Sequence, residues 1–541
     1  MDTPATTTSN IWSRLLGAFK NALWVGVSAP GQSRLGWLGA LLVLTLASFT
    51  MLWLGDKLNA SGMALTRFMA RAQAPLTAQF HYPALARDQI TVALYDQEFL
   101  EASGSAWPIS YQSHADGLLR LAADPSARPR AIMLDITFGQ ERDDPTVDSL
   151  RQALCRIQNE FKVPVFLAAL PSPETGRLAV RAGLGADSPG TAPPCFTLVG
   201  VDYLPDPLDG LAWSYPLTRH LADAGWQPGP ASEPLRQPAY RSAAMAMAQD
   251  AAGLDLGLET VPMALVWGHN SAPQAHRPKR LANCRPGTPE LRQLVPGVLR
   301  QLWEDSNKPP LCPYHRTLSM AQLEVLEEGE LAPYLAGRYV LVGAHVPGFN
   351  DFADSPVHRI TPGIYMHAMA LDNLLTYGSR YKLSAEWTLP PTLELLVPGL
   401  LTIGVVFAVH LLWNALQSWL VRAVQARGWP PALAGLRAGY LARPERTRRL
   451  LGLPVVALAW LARLSLQSIA AMVLIGLLQA RFRIGMLPVV ELVGMTLLAE
   501  GLGYLKKIQT LLEEKPAECP TCRALTSDPA LSPLPYPKET S

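Results

Sequence analysis

Ala131-Ile132-Met133-Leu134-Asp135-Ile136-Thr137-Phe138 is the stretch on which the fold turns. Its first four residues are apolar without interruption. A strand with one face in water alternates polar and apolar side chains, because successive residues point to opposite faces. An unbroken run suits a strand covered on both faces, as in a parallel sheet flanked by helices. Further strand-like runs lie at 90–95, 163–170, 196–203, 261–267 and 339–342. Helical periodicity lies between them, at 114–122, 148–158, 242–251, 321–327 and 364–375. Strands alternating with helices predict an α/β layered domain. Three Pro/Gly-rich stretches, 171–194, 205–238 and 272–313, read as long surface insertions in that domain.

The layered domain fills only the middle of a 541-residue chain. Charged residues are 17% and apolar residues 49%, against about 25% charged in an ordinary soluble protein. Lys and Arg (46) nearly balance Asp and Glu (44), which argues against a nucleic-acid binder, since phosphates demand a basic excess. The apolar excess is concentrated in four stretches. Residues 35–55 carry no charge, and 21 residues at about 1.5 Å each span a hydrocarbon layer of roughly 30 Å. Residues 395–416 are apolar apart from His410 and Asn414, 464–480 are uncharged, and 484–505 are apolar apart from Glu491 and Glu500.

The predicted architecture is therefore an α/β domain at 56–394 beside an α-helical bundle of four transmembrane spans in the lipid bilayer. Basic residues in short loops mark the cytoplasmic side. The 417–463 loop holds Arg422, Arg427, Arg437, Arg443, Arg446, Arg448 and Arg449 against the single acid Glu445 before Leu453. Segment 1–34 and tail 506–541 fall on the same side if the spans number four, and 56–394 falls on the other. Arg481 and Arg483, in the short turn between the last two spans, count the other way and are outnumbered. Ile11, Trp12, Leu15, Leu16, Phe19 and Leu23 recur at helical spacing, as an amphipathic helix at the inner interface would. Arg463 and Glu500 lie at similar depth on antiparallel spans and are expected to pair.

Six cysteines divide between the two sides. Cys155, Cys195, Cys284 and Cys312 lie in the outer segment and permit three pairings. The shortest loops come from Cys155–Cys195 and Cys284–Cys312, which are the expected disulfides. Cys519 and Cys522 form a lone C-x-x-C in the tail. Structural zinc needs four ligands, so these two would bind it only with a partner's help. No other cofactor is expected.

Three blocks of the outer segment carry a resemblance. The first is Trp107-Pro108 with His114-Ala115 and Gly117 to Leu121. The second is Ala131 to Phe138 with Asp143, Asp144 and Leu150. The third is Gly337 to Ala344, then Asp351, Pro356, Pro362-Gly363, His367-Ala368 and Leu371-Asp372-Asn373-Leu374-Leu375. Over 89–381 the chain resembles the second type of CHASE domain, a bacterial extracytoplasmic sensor module. One span before and three after the sensor is also similar to that family's arrangement. The resemblance implies a multi-pass inner-membrane protein with a periplasmic sensor domain and both termini in the cytoplasm. It implies no particular ligand.

Asp135 follows a buried strand, while Asp351 and Asp354 follow another. Ligands gather beyond the carboxyl ends of parallel strands. These acids, with Trp107 and His367, are the candidate ligand-binding residues. No Ser/His/Asp triad or two-histidine zinc motif is evident, so an enzyme is not expected. The 506–541 tail carries no kinase or cyclase motif, so output would pass to a separate cytoplasmic or membrane partner. A homodimer is compatible with this reading. The competing reading is a structural scaffold in an envelope complex, using the outer domain as a docking surface.

Overall fold

The computed structural model describes residues 81–384 except 173–176, 186–194, 204, 220–239, 257–260, 275–276, 288–308 and 349–350, with scattered positions at 70–79 and 412–485. The chain divides into two compact units. One comprises 1–58, 399–471 and 491–541; the other comprises Asn59–Pro398 and Met472–Val490. The second contains the sheet, and the described architecture belongs to it.

The strands of that sheet are β1 (Ile90–Asp96), β2 (Ala131–Leu134), β3 (Val165–Pro171), β4 (Leu178–Ala179), β5 (Thr197–Gly200), β10 (Arg316–Ser319) and β11 (Tyr339–His345). Their order is β10-β1-β11-β2-β3, with β3 paired on to β4 and to β5. All these pairings are parallel except β3–β4. The later strand β11 thus lies between β1 and β2, and registers Val92 against Leu341 and Met133 against Leu341.

Side chains alternate across this sheet, and both faces are dry. Ile90, Val92, Leu94, Ala131, Met133 and Leu341 enter one core; Ala93, Tyr95, Ile132, Leu134, Val340 and Val342 enter the other. This is why the run from Ala131 to Leu134 shows no polar alternation. Helices α1 (Gln97–Ser103), α2 (Tyr111–Ala123), α3 (Val147–Asn159) and α5 (Glu328–Leu335) cover the second core. Helices α4 (Ala243–Ala246) and α6 (Ile364–Tyr377) cover the first. The start of α2 is set by Ser110, whose hydroxyl accepts from the Ser113 amide at 3.1 Å, satisfying an otherwise orphaned donor. Leu118 on α2 and Leu154 on α3 are fully buried, each worth about 2 kcal/mol.

Several elements depart from the sequence pattern. The strand predicted at 131–138 ends at Leu134; the Asp135 amide still donates to the Val342 carbonyl at 2.7 Å before the chain leaves the sheet. The 261–267 run yields only β9 (Met263–Ala264), paired with β6 (Ser214–Tyr215). The helix at 242–251 is α4 followed by a π-helical turn, Met247–Ala251. Edge strand β10 and the hairpin of β12 (Phe352–Ser355) and β13 (Arg359–Pro362) have no apolar alternation to announce them. β7 (Thr218–Arg219) and β8 (Tyr240–Arg241) form a small separate ladder.

Two disulfides close insertions onto the domain. Cys155 on α3 joins Cys195 before β5, with Cα atoms 4.6 Å apart, and Cys284 joins Cys312, 4.8 Å apart.

The ends of the domain are pinned. At the N-terminal end, the Tyr82 hydroxyl donates to Asp372 on α6. At the C-terminal end, Ala264 N–H donates to the Lys382 carbonyl at 2.8 Å. There a second segment joins: Leu383 N–H donates to the Arg483 carbonyl at 2.7 Å, and Gly485 N–H to the Leu383 carbonyl at 3.2 Å. Arg483 also lies over the Tyr381 ring, 5.0 Å from its centroid. A β-carbon on Gly485 would overlap Ala264, so glycine is required by this close approach.

Among the described residues no helix is long and apolar enough to cross a membrane. The expected spans 35–55, 395–416, 464–480 and 484–505 lie, isolated positions apart, outside the described residues. So do the amphipathic segment around 11–23, the Arg463–Glu500 pair and the tail cysteines Cys519 and Cys522.

Candidate functional site

Helix α6 organises the carboxyl-end edge of the sheet. It begins where Gly363 N–H donates to the Asp351 carbonyl at 3.0 Å. A β-carbon at Gly363 would overlap the Asp351 carboxylate, so the glycine lets this acid sit against the helix start. One turn into α6, His367 is 3% exposed. Its Nδ1 lies 2.7 Å from Tyr215 Oη on β6, and its Nε2 lies 3.8 Å from Asp135 Oδ2. The sheet therefore supplies Asp135, α6 supplies His367, and the preceding loop supplies Asp351.

Burial governs the charge of this trio. Loss of water pushes the Asp135 carboxyl up to about 7. Burial and then the Asp135 charge push Asp351 up to about 6, with His367 opposing. Burial pulls His367 down to about 4, so its ring is neutral at pH 7. Tyr215 Oη accepts from the Ala244 amide at 3.4 Å and shares a hydrogen bond of 2.7 Å with His367 Nδ1. The chain Tyr215–His367–Asp135 is thus a polar line through the apolar core. Nearby Asp202 is already engaged by Arg219 at 2.9 Å and by the Tyr240 hydroxyl at 3.2 Å.

Two candidate residues stand elsewhere. Trp107 lies on the opposite face of the sheet, with its ring 6.5 Å from Tyr95 and 6.4 Å from His114. Burial there drags His114 down to about 3. Asp354 is exposed on the β12–β13 hairpin, where its carbonyl accepts from Ala212 N–H at 2.7 Å. The sequence reading joined five residues into one site, but only Asp135, Asp351 and His367 converge. The parity of β2 explains part of this: Asp135 shares the face of Ala131 and Met133, on which α6 packs.

Two features were missed by sequence reasoning. The first is a buried network on the second half of α6. Asp372, fully buried, accepts from His315 Nε2 at 3.1 Å, from Thr376 Oγ1 at 3.3 Å and from Tyr82. Its neighbour Asn373 donates to the Val266 carbonyl at 2.8 Å and to Tyr82 Oη at 3.2 Å. The only signal was that Asp372 and Asn373 lie in the third block of resemblance; Tyr82 and His315 lie in stretches with no pattern.

The second is a cavity of about 130 Å³ beside the first half of α6. Trp267, Tyr314, His315, His345, His358 and Tyr365 contribute to its walls. Arg280 and the exposed Phe352 and Ile360 also line it. His358 donates Nε2–H to the Gly268 carbonyl at 2.8 Å, and burial pulls this ring down to about 4. The cavity and the acidic trio therefore flank the same helix turn, Tyr365 and Met369 lining one and His367 meeting the other.

No group of three or more His, Cys, Asp or Glu among the described residues could hold a metal ion. No curated protein and no solved structure matches the chain. The family model of the CHASE2 domain matches residues 40–412, well over half of the chain. CHASE2 domains are extracellular sensor domains of signalling proteins. An α/β sheet domain matched across that length belongs to the CHASE2 domain family.

Proposed function

We propose that this chain is a membrane-anchored receptor subunit whose periplasmic domain binds a small extracytoplasmic ligand and passes the signal to a separate partner protein. The observation that carries the reading is the placement of α6. Its first half meets both the cavity and the acidic trio; its second half, through Asp372 and Asn373, holds Tyr82. Tyr82 follows the first expected span. His367 and Asp372 are five residues apart, about 7.5 Å along one rigid helix. A ligand that favours one position of α6 would shift the segment leading to that span, in proportion to its differential affinity for the two positions.

The clasp between 381–383 and 483–485 supports the four-span arrangement. Arg483 and Gly485, in the expected turn between the last two spans, bond to Leu383 of the outer domain, as cytoplasmic termini on a four-span chain would require. Arg481 and Arg483 then belong to the periplasmic side despite their charge. In this reading the Tyr215–His367–Asp135 line serves binding and positioning, with no catalytic step.

Phe352 and Ile360, 45% and 69% exposed on one hairpin, favour a second reading, a scaffold that docks an envelope protein there. Cysteines placed in the first and second spans separate the two. A crosslinking yield that changes when the periplasmic contents are washed out supports sensing. An unchanged yield, with a stoichiometric co-purifying protein, supports the scaffold. A cytosol-dependent reporter that functions when inserted at Gly229 overturns both.

A further inference from the structure

The cavity beside α6 has a chemistry that selects its occupant. None of its lining residues is Asp or Glu, whereas Arg280 brings a permanent positive charge. Arg280 is exposed, and its guanidinium makes no ion pair among the described residues. Deeper in the walls, Tyr314 and His315 are 3% and 1% exposed. Tyr314 Oη and His315 Nδ1 meet no hydrogen-bond partner among the described residues. Buried polar atoms without partners are uncommon and costly. Two such atoms on residues that line one cavity point to a ligand that satisfies them. The lining also includes the apolar and aromatic Trp267, Leu281, Tyr365 and Met369, with Asn283, Thr361, His345 and His358 as further polar side chains.

Size narrows the choice. An apolar cavity of roughly 150 Å³ accepts benzene, and this one is about 130 Å³ and continues into a lining that includes exposed side chains. We propose that the cavity binds a small monocyclic carboxylate, its ring between Trp267 and Tyr365, its carboxylate on Arg280, and a ring hydroxyl or N–H against Tyr314 and His315. This assignment rests on the sensor reading and names the ligand class for it. The site also reaches the rest of the network. The same His315 ring that offers Nδ1 to the ligand holds Asp372 through Nε2, and Asp372 holds Tyr82. A ligand at Nδ1 is one imidazole away from the contact that anchors the chain leading to the first span.

The test is isothermal titration calorimetry of the full chain in lipid nanodiscs, with 4-hydroxybenzoate, benzoate and benzylamine as probes. Saturable binding of 4-hydroxybenzoate is expected, about tenfold tighter than benzoate, because the hydroxyl satisfies buried groups that benzoate leaves unpaired. Benzylamine, of the same size and opposite charge, should not bind. Arg280→Ala, at an exposed position, should weaken both carboxylates about tenfold or more. Tyr314→Phe, which removes only the unpartnered hydroxyl, should narrow the preference for 4-hydroxybenzoate over benzoate. Absence of carboxylate binding, equal binding of benzylamine, or carboxylate affinity unchanged in Arg280→Ala would overturn the assignment. These outcomes are distinct from failure of the receptor reading, which crosslinking between spans and the Gly229 reporter decide without any added ligand.

Discussion

Replacing Asp135 with Asn tests the account of the carboxyl-end edge most directly. Asn keeps the shape of the side chain and cannot ionise. Burial raises the Asp135 carboxyl from 3.8 to about 7. The folded chain therefore holds this proton up to about pH 7, while the unfolded chain releases it near 3.8. Where the native state binds more protons than the unfolded state, stability falls as pH rises. The wild-type protein loses stability at this group from pH 3.8 up to about 7 and no further. Each unit is worth roughly 1.4 kcal/mol, so the share falling between pH 5 and 8 is about 3 kcal/mol.

The buried histidines act in the opposite direction. His114, His358 and His367 are lowered to about 3, 4 and 4, chiefly by burial, so they are neutral in the fold but charged in the unfolded chain below 6.5. They add stability as pH rises from 5 toward 6.5 and hide the Asp135 slope in the wild type alone. The difference between variant and wild type removes them, apart from the change at neighbouring Asp351 and His367. Urea unfolding followed by tryptophan fluorescence, at pH 5 and pH 8, gives that difference. The advantage of Asp135→Asn should grow by about 3 kcal/mol between the two. An advantage that stays constant would mean that Asp135 is already ionised in the fold, and the buried acidic trio would have to be abandoned.

Asp372→Ala strands the His315 and Tyr82 donors in the core and should cost about 3–5 kcal/mol, whereas Asp372→Asn should cost less; thermal unfolding of the two variants ranks them. Removing the Cys155–Cys195 bridge by a double alanine substitution frees a loop of 40 residues and should cost about 4 kcal/mol, read from urea midpoints; a shift under about 1 kcal/mol would show that the loop is ordered without it. Gly485→Ala pushes a methyl into Ala264, so the clasp at Leu383 should open more often, and limited trypsin cleavage after Arg483 should quicken by roughly tenfold.

How much of this was legible depends on where each residue's partners lie. The central strands were readable because burial on both faces leaves an unbroken apolar run, as at Ala131–Leu134. The amphipathic helices α2 and α3 were readable because one face must stay wet. Edge strand β10 reads Arg-Thr-Leu-Ser, and only its pairing with β1 makes it a strand. The cavity was illegible because its walls come from separate stretches: Trp267, Arg280, Tyr314 and His315, His345, His358 and Tyr365. Pro-rich composition around 272–313 suggested surface insertion, yet it delivers Tyr314 and His315 to the core.

By itself the amino-acid sequence determined the class of the domain, since hydrophobic periodicity is a local consequence of which face meets water. It also carried the resemblance that the family match supports. Only the tertiary structure decided that Asp135, Asp351 and His367 meet while Trp107 and Asp354 do not. It alone showed that Asp372 holds both His315 and Tyr82, more than fifty residues away in each case. Such meetings depend on which strands the sheet interleaves and on the pleat parity of each residue. Bringing β11 between β1 and β2 sets α6 over the carboxyl edge, and nothing local to α6 encodes that position.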